Sequence, residues 1–251
     1  MNGKYIEWIG TGSALNPELG NTSFLVVGTD RNLLVDCGFT VPLELIKTGQ
    51  LKDVTDIILT YAHADHIGGL EGLGFMNYFA FRNRGDKRPN LHVATDEFAH
   101  KLWEYSLRGG MEKIQSDGNT PQKATLDTYF KVHVGKQIDV PGLPIAKLFP
   151  TLHVQGMENY GVKFDNGVWY SGDTVELPST DGTLIFQDCQ FYETPSDVHI
   201  SYDELKAKVP TEHRQRIHLV HLGDGWQKKD AVADGFAGFV KPRDRFKLEI
   251  N

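Results

Sequence analysis

The stretch that decides the fold is Asp56-Ile-Ile-Leu-Thr-Tyr-Ala-His-Ala-Asp-His-Ile-Gly-Gly-Leu70. Its apolar beginning predicts a buried strand, and Ile67-Gly-Gly-Leu70 predicts the beginning of a helix. Between them lie three potential metal ligands, His63, Asp65 and His66. Side chains two residues apart on a strand share a face, so His63 and Asp65 should converge while the turn brings His66 alongside. Two imidazoles and a carboxylate suit a zinc-type ion; the alternative is a polar turn in which Asp65 caps the helix.

The same stretch resembles the central motif of the metallo-β-lactamase superfamily of hydrolases, Thr-His-X-His-X-Asp-His-X-Gly-Gly after an apolar strand. Here the motif reads Thr60-Tyr-Ala-His-Ala-Asp-His-Ile-Gly-Gly69, with Tyr61 in place of the first histidine. The resemblance extends from Gly10 to Asp224. It implies an α/β fold, the four-layer αββα sandwich, with two sheets face to face, helices outside and the site along one edge.

Composition narrows the class of protein. A chain of 251 residues, 40% hydrophobic and 24% charged, suits one globular domain spanning residues 1–251. No apolar run approaches the roughly 20 residues of a membrane span, and the beginning lacks the form of a signal peptide. Two cysteines are too few for a disulfide scaffold, so we expect a cytoplasmic protein. A net charge of −7 argues against long nucleic acid as a partner, but not against a small anionic substrate at a metal.

Further segments resemble the ribonuclease Z-like branch of the superfamily. The opening Gly10-Thr-Gly-Ser13 matches a turn at the beginning of that branch, and Asp36 matches a structural acid beneath the metal site. Tyr170-Ser-Gly-Asp-Thr174 matches a motif whose aspartate bridges two metals. In this branch an acid steadies a later histidine; Asp188 stands at the acid's position, and His199 lies in the later histidine motif.

Carried over residue by residue, the resemblance implies two metal positions. One is formed by Asp65, His66 and His221 with Asp173 bridging, and Asp65 would also orient the nucleophile. The other has the ligands His63, His153, Asp173 and Tyr61. The implied cofactor is Zn²⁺, one or two ions, with Mn²⁺ as an alternative.

Tyr61 is the one break in the motif. A phenol has a pKa of about 10, and a metal must displace its proton before the oxygen can ligate. The position beside Tyr61 is therefore filled through phenolate or water, or is weak or empty. Because holding phenolate at neutral pH opposes its intrinsic pKa by about three units, we expect a neutral hydroxyl beside a weak or empty position.

The resemblance also narrows the substrate. His153 and Asp173 are only 20 residues apart, which leaves no room for the long arm that transfer-RNA maturases carry between these positions. The chain is more similar to compact cyclic-phosphodiester hydrolases, including phage enzymes that destroy cyclic-nucleotide immune signals. We expect a metal-dependent phosphodiesterase acting on a small cyclic or nucleotide phosphodiester, with His199 as general acid supported by Asp188. The alternative is a non-catalytic relative that binds a nucleotide or a partner through a degenerate metal site.

A helix predicted over residues 69–81 is heavy in aromatic side chains. Phe75, Tyr78, Phe79 and Phe81 indicate core packing or a dimer contact, and we expect a homodimer. Residues 109–130 form the least patterned part of the chain, which fits a flap or a dimer-contact loop.

Overall fold

The computed structural model describes residues 4–115, 118, 120–193 and 196–248. Within these residues the strands are β1 (Tyr5–Gly10), β2 (Ser23–Val27), β3 (Asn32–Val35), β4 (Asp56–Ile58), β5 (Asn90–Val93), β6 (Lys113–Ile114), β7 (Gln122–Lys123), β8 (Lys131–Val134), β9 (Gln137–Ile138), β10 (Ala146–Pro150), β11 (Tyr160–Phe164), β12 (Val168–Tyr170), β13 (Leu184–Asp188), β14 (Ile217–Val220), β15 (Gly238–Phe239) and β16 (Arg245–Lys247). The α-helices are α1 (Val41–Lys47), α2 (Ala64–Ile67), α3 (Leu70–Phe75), α4 (Asp96–Lys101), α5 (Arg108–Met111), α6 (Leu126–Tyr129), α7 (Tyr202–Lys208) and α8 (Thr211–Arg214). Single 3₁₀ turns lie at Leu51–Asp53, Gly85–Lys87 and Trp226–Lys228, and π-helical turns at Met76–Ala80 and Leu102–Leu107.

Two seven-stranded sheets carry the fold. The strand order is β16-β1-β2-β3-β4-β5-β8 in the first sheet and β15-β14-β13-β12-β11-β10-β9 in the second. Alternating residues of β1 and β2 point into the space between the sheets, where Trp8 packs 4.8 Å from Phe24 and 4.9 Å from Phe186 of the second sheet, between ring centroids. The sheets therefore meet face to face around a shared aromatic core.

Helices cover the outer face of each sheet. On the first sheet Leu45 of α1, Leu73 of α3 and Phe98 of α4 are buried in one cluster with the outward residues of the strands. On the second sheet Leu205 of α7 is buried with Ile217 and Leu219 of β14. The result is the four-layer arrangement expected from the sequence.

Parallel strands bring the candidate ligands to one edge. Strands β12, β13 and β14 pair in parallel, as do β3, β4 and β5 in the other sheet. The carboxyl ends of parallel neighbours lie at the same sheet edge. Asp173 follows β12, Asp188 ends β13 and His221 follows β14, so the order of the strands gathers these three side chains.

The central motif folds somewhat differently from the prediction. Strand β4 ends at Ile58, and the helix begins at Ala64, three residues earlier than expected. His63 precedes the first residue of α2, while Asp65 and His66 lie inside it.

The aromatic helix predicted over residues 69–81 is present, whereas the stretch 109–130, expected to be a flap or loop, contains β6, β7 and α6. The aromatic helix runs as α3 and continues through the π-helical turn; Phe75 and Tyr78 pack against the core, whereas Phe79 and Phe81 are exposed. Across the residues described, no helix combines the length and apolarity that crossing a membrane requires.

Candidate metal centre

Four buried side chains converge where the two sheets meet at this edge. The ligand atoms of Asp65, His66, Asp173 and His221 all lie within 4.8 Å of one another. The Asp173 Oδ2 atom is 3.5 Å from His66 Nε2 and 3.2 Å from His221 Nε2. Asp65 Oδ2 is 3.4 Å from the same His221 nitrogen. Two imidazoles and two carboxylates at these separations match the donor set of a zinc site.

Unpaired polar atoms test whether a metal fits here. Among the residues that the structure describes, His66 Nε2 and Asp173 Oδ1 are buried without a hydrogen-bond partner. A buried polar atom left unpaired costs about 1–3 kcal/mol, so such atoms call for a ligand. An ion coordinated by both atoms would remove that cost. The position formed by Asp65, His66, Asp173 and His221 therefore fits a divalent metal.

Two further carboxylates orient the histidines of this group. His66 Nδ1 lies 2.7 Å from Asp36 Oδ2, and both side chains are fully buried. His221 Nδ1 lies 3.3 Å from Asp188 Oδ1 and 2.9 Å from the Gln190 amide nitrogen. With its Nδ1–H towards the Asp36 carboxylate, neutral His66 presents an unprotonated Nε2 to a metal. Asp36 thus contacts a candidate ligand from outside, as its sequence position implied.

Charge is concentrated in this buried group. Burial opposes ionisation of His66, but Asp173 and Asp36 outweigh it and raise the pKa of His66 to about 10. The same balance raises the pKa of His221, chiefly through Asp173. Burial likewise opposes the charge of Asp173, yet His221 and His66 hold its pKa well below the ordinary value. A divalent cation competes with these protons for the same atoms, so metal binding should release protons.

The Tyr61 side chain lies at the second expected metal position. The Tyr61 hydroxyl donates to Asp173 Oδ2 at 2.6 Å and lies 3.1 Å from His63 Nδ1. His153 Nε2 lies 3.4 Å from the same His63 atom. Within the described ranges, no group of three or more His, Cys, Asp or Glu ligand atoms within 4.8 Å includes His63 or His153. His63, His153 and Asp173 therefore reach the same region, with the Tyr61 hydroxyl between Asp173 and His63.

Tyr61 is completely buried in this arrangement. Its ring lies with its centroid 4.6 Å from that of His63 and 4.3 Å from that of His66. Burial, and after it the neighbouring carboxylates Asp173 and Asp65, raises the pKa of Tyr61 above its ordinary value. The contacts favour the neutral hydroxyl.

His199 and Asp188 form a pair beside the metal group. His199 Nδ1 lies 2.7 Å from Asp188 Oδ2, and that oxygen also accepts from the backbone N–H of Thr174. The His199 ring stacks on His221 with a centroid distance of 5.0 Å. Burial lowers the pKa of His199, but Asp188 outweighs burial and raises it above the ordinary value. The pair has the contact predicted for a supported general acid.

Gln190 is a residue that the sequence reasoning missed. His221 has a left-handed backbone, with φ at +58°, which is rare for a residue other than glycine. The buried Gln190 side chain donates from Nε2 to the His221 carbonyl oxygen and lies 2.9 Å from His221 Nδ1. Gln190 therefore supports the turn that directs His221 into the site. A glutamine two residues beyond Asp188 carries no sequence pattern that would have identified it.

The opening glycine-rich turn packs against the same strand end. Leu222 donates its N–H to Thr11 O at 2.9 Å, and Ser13 donates its N–H to Leu222 O at 3.1 Å. Ser13, Ala14 and Leu15 thereby form one wall of a cavity of about 470 Å³. The cavity also contacts Tyr61, His63, Asp65, His153, Val154, Asp173, Gln190, Tyr192, Val198, His199 and His221.

A family model described as anti-Pycsar protein Apyc1 matches residues 5–246. The chain belongs to this family. Relatives of that description include one from Bacillus phage BSP38, 35% identical over 240 residues, which cover 88% of this chain and 90% of the relative. Another, from Paenibacillus harenae, is 30% identical over 256 residues, which cover 97% and 100%.

Solved structures share the fold of this Apyc1 family member. The metallo-β-lactamase fold protein YhfI from Bacillus subtilis aligns with a TM-score of 0.71 at 15% identity over 97% of this chain and 99% of that one. A diphosphatase from the PhnP family gives 0.70 at 15% identity over 98% of each chain. The short form of human tRNase Z gives 0.64 at 16% identity over 98% and 100%. The predicted metallo-β-lactamase fold is thereby confirmed.

Proposed function

We propose that this protein is a metal-dependent phosphodiesterase that hydrolyses a small cyclic or nucleotide phosphodiester. The observation that carries the proposal is the buried group of Asp65, His66, Asp173 and His221, whose unpaired atoms suit a divalent cation. His199 lies beside that group on the wall of the same cavity. Membership of the Apyc1 family and the resemblance to cyclic-phosphodiester hydrolases support the same reaction class.

The metal, Asp65 and His199 would each have a separate role in hydrolysis. Zn²⁺, or Mn²⁺ in its place, would supply Lewis acidity towards the phosphodiester and favour ionisation of water. Asp65 lines the cavity, and its carboxylate would orient the attacking water. His199, held through Nδ1 by Asp188, has Nε2 free to give a proton to the departing ribose oxygen.

The cavity suits a mononucleotide better than a long strand. Its volume of about 470 Å³ lies within the range of small-ligand sites. Tyr192 lines it and is 49% exposed, so the ring offers a surface on which a nucleobase can stack. The net charge of −7 opposes binding of extended nucleic acid.

A panel of cyclic nucleotides tests the activity. Purified protein should hydrolyse at least one of them with Zn²⁺ or Mn²⁺ and lose activity when a chelator removes the metal. His221→Ala should lose both metal and hydrolysis. His92→Ala is the matched control, because His92 bonds to Asp56 and contacts none of the candidate ligands. Full metal content in His221→Ala would contradict the assigned ligand set.

The alternative function is that of a non-catalytic nucleotide- or partner-binding protein with a degenerate metal site. The Tyr61 hydroxyl standing between Asp173 and His63 is the observation that favours it. Metal analysis of the purified chain separates the two functions. One or two ions per chain support the enzyme, and a metal-free chain that still binds a cyclic nucleotide supports the binder.

The expected homodimer and cytoplasmic location remain proposals. Phe79 and Phe81 are 39% and 37% exposed at the end of the aromatic helix, and these exposed rings suit an apolar contact with a second copy. Light scattering on the eluting protein would give its mass. A Phe81→Asp variant that elutes as a monomer would place the contact there, whereas a monomeric wild type would refute the dimer.

A further inference from the structure

The Tyr61 hydroxyl lies against the carboxylate that would bridge two metal ions, at 2.6 Å from Asp173 Oδ2. The resemblance to two-metal hydrolases implies that Asp173 bridges, so that its carboxylate serves an ion on each side. Here one side of Asp173 faces His66 and His221, with Oδ2 within 3.5 Å of both ring nitrogens. On the other side the same oxygen accepts the Tyr61 proton at 2.6 Å. The hydrogen bond therefore competes with a second ion for the Asp173 oxygen that faces both sides of the site.

The neighbouring histidines complete this hydrogen-bond chain in one consistent direction. The Val198 carbonyl oxygen can only accept, so His153 Nδ1, 2.6 Å away, carries a proton and donates. A neutral His153 then has an accepting Nε2, which lies 3.4 Å from His63 Nδ1. Tyr61 donates to a carboxylate, so its oxygen is free to accept from His63 Nδ1 at 3.1 Å.

Every donor in this hydrogen-bond series has an acceptor while the rings of Tyr61, His63 and His153 all stay neutral. By contrast, among the described residues the buried His66 Nε2 and the second carboxylate oxygen of Asp173, Oδ1, have no hydrogen-bond partner. The donors around Tyr61 are thus satisfied by side-chain and backbone acceptors, whereas His66 Nε2 on the other side of Asp173 Oδ2 lacks a ligand.

We propose that this protein is a single-metal member of its fold class, in which Tyr61 replaces the second ion. The one ion is held by Asp65, His66, Asp173 and His221. Tyr61 is a positioning residue: its hydrogen bond holds Asp173 towards that ion. His63 and His153 hold the Tyr61 hydroxyl in place and do not bind metal. The proposal shares the metal centre of the proposed function but is independent of the substrate.

Metal stoichiometry tests the inference directly. Wild type, equilibrated with Zn²⁺ and freed of excess, should contain one tightly bound ion per chain. Tyr61→His restores a ligand at the motif position and should bind a second ion at least tenfold more tightly than wild type does. Tyr61→Phe should still bind one ion but about 10- to 100-fold more weakly, because Asp173 loses its orienting hydrogen bond.

Tyr129→Phe is the matched control for the loss of a buried hydroxyl. Tyr129 is 1% exposed and donates to the Met111 carbonyl oxygen at 2.8 Å, outside the metal group. Its substitution should leave zinc affinity unchanged. Equal weakening in Tyr61→Phe and Tyr129→Phe would overturn the positioning role.

The absorption spectrum of the wild type tests the inference without any variant, so the test stands even if the variants fail to fold. Adding zinc should produce no tyrosinate absorption band, because Tyr61 keeps its proton. Growth of that band in step with a second ion, or two ions of comparable affinity in wild type, would overturn the proposal. A single-ion protein without phosphodiesterase activity would refute the proposed function and leave this inference standing. A wild type that hydrolyses cyclic nucleotides and binds two ions would support the proposed function and refute the single-metal inference.

Discussion

Replacing Asp36 by asparagine should weaken metal binding from outside the ligand group. Asp36 accepts three hydrogen bonds, from Thr60 N at 2.8 Å, Thr60 Oγ1 at 2.7 Å and His66 Nδ1 at 2.7 Å. Its φ of +60° is left-handed, a conformation that asparagine also tolerates, so the backbone should persist. An amide has one accepting oxygen, and its NH₂ group would face a donor. If the NH₂ group takes the Oδ2 position, His66 loses the acceptor for its Nδ1 proton; if it takes the Oδ1 position, it faces the Thr60 N–H, and His66 keeps only a neutral acceptor that is weaker than a carboxylate.

The size of the effect follows from the contact that is lost. A hydrogen bond to a charged group contributes about 1.5–3 kcal/mol to stability when both partners are buried. Altering the residue that orients a metal-binding histidine reduces metal affinity about 10- to 100-fold. We therefore expect Asp36→Asn to lose stability in that range and zinc affinity by that factor.

Competition with a chelator of known affinity measures the dissociation constant for zinc, and urea unfolding measures the free energy of unfolding. Asp56→Asn is the matched control: Asp56 is a buried carboxylate that accepts from His92 Nε2 at 3.1 Å and from Arg31, far from the ligands in the fold. It should lose stability and keep its zinc affinity. Unchanged zinc affinity in Asp36→Asn, or an equal loss in both variants, would refute the reasoning.

Three further perturbations test the site and the fold. His199→Asn should slow hydrolysis of a cyclic nucleotide about 10²- to 10⁴-fold but affect a nitrophenyl ester much less, because nitrophenolate departs without a proton; equal losses in kcat would rule out the general acid. Gly38→Ala should lower the free energy of unfolding in urea by about 1–3 kcal/mol, since a Cβ would lie 1.9 Å from the Asp65 carbonyl oxygen. An unfolding midpoint equal to that of the wild type would contradict this. Burial would raise the pKa of Asp56, but hydrogen bonds from His92 and Arg31 lower it to about 2. The resulting stabilisation of about 2 kcal/mol is complete above about pH 4 and is lost as the pH falls to 2; Asp56→Asn should abolish this part of the acid dependence of unfolding.

The prediction for the central motif was right about which residues meet and wrong about how they meet. His63 and Asp65 were expected to share one face of a strand, but the strand ends at Ile58 and Asp65 lies in α2. The Thr60 N–H bonds to the Asp36 carboxylate and not to a neighbouring strand, which ends the ladder early. No local pattern shows this, because the partner lies 24 residues away.

The C-terminal segment shows a different limit. The resemblance stopped at Asp224, and residues beyond it carried no prediction. In the structure β15 joins the edge of the second sheet and β16 pairs with β1 of the first. Short strands of two and three residues have too few side chains for a periodic signal, and a pairing between chain ends depends on the rest of the fold.

The sequence by itself determined the family, the layered α/β fold and the set of side chains at the site, because those depend on local periodicity and on motif residues in a particular order. Tertiary structure decided which atoms of those side chains face one another. Asp36 selects the nitrogen that His66 presents, Asp188 holds His199, and Tyr61 donates to Asp173. These hydrogen bonds determine which side-chain atoms remain available to a ligand. Two of these pairs join residues 30 and 112 positions apart, and only the folded backbone brings such residues within bonding distance.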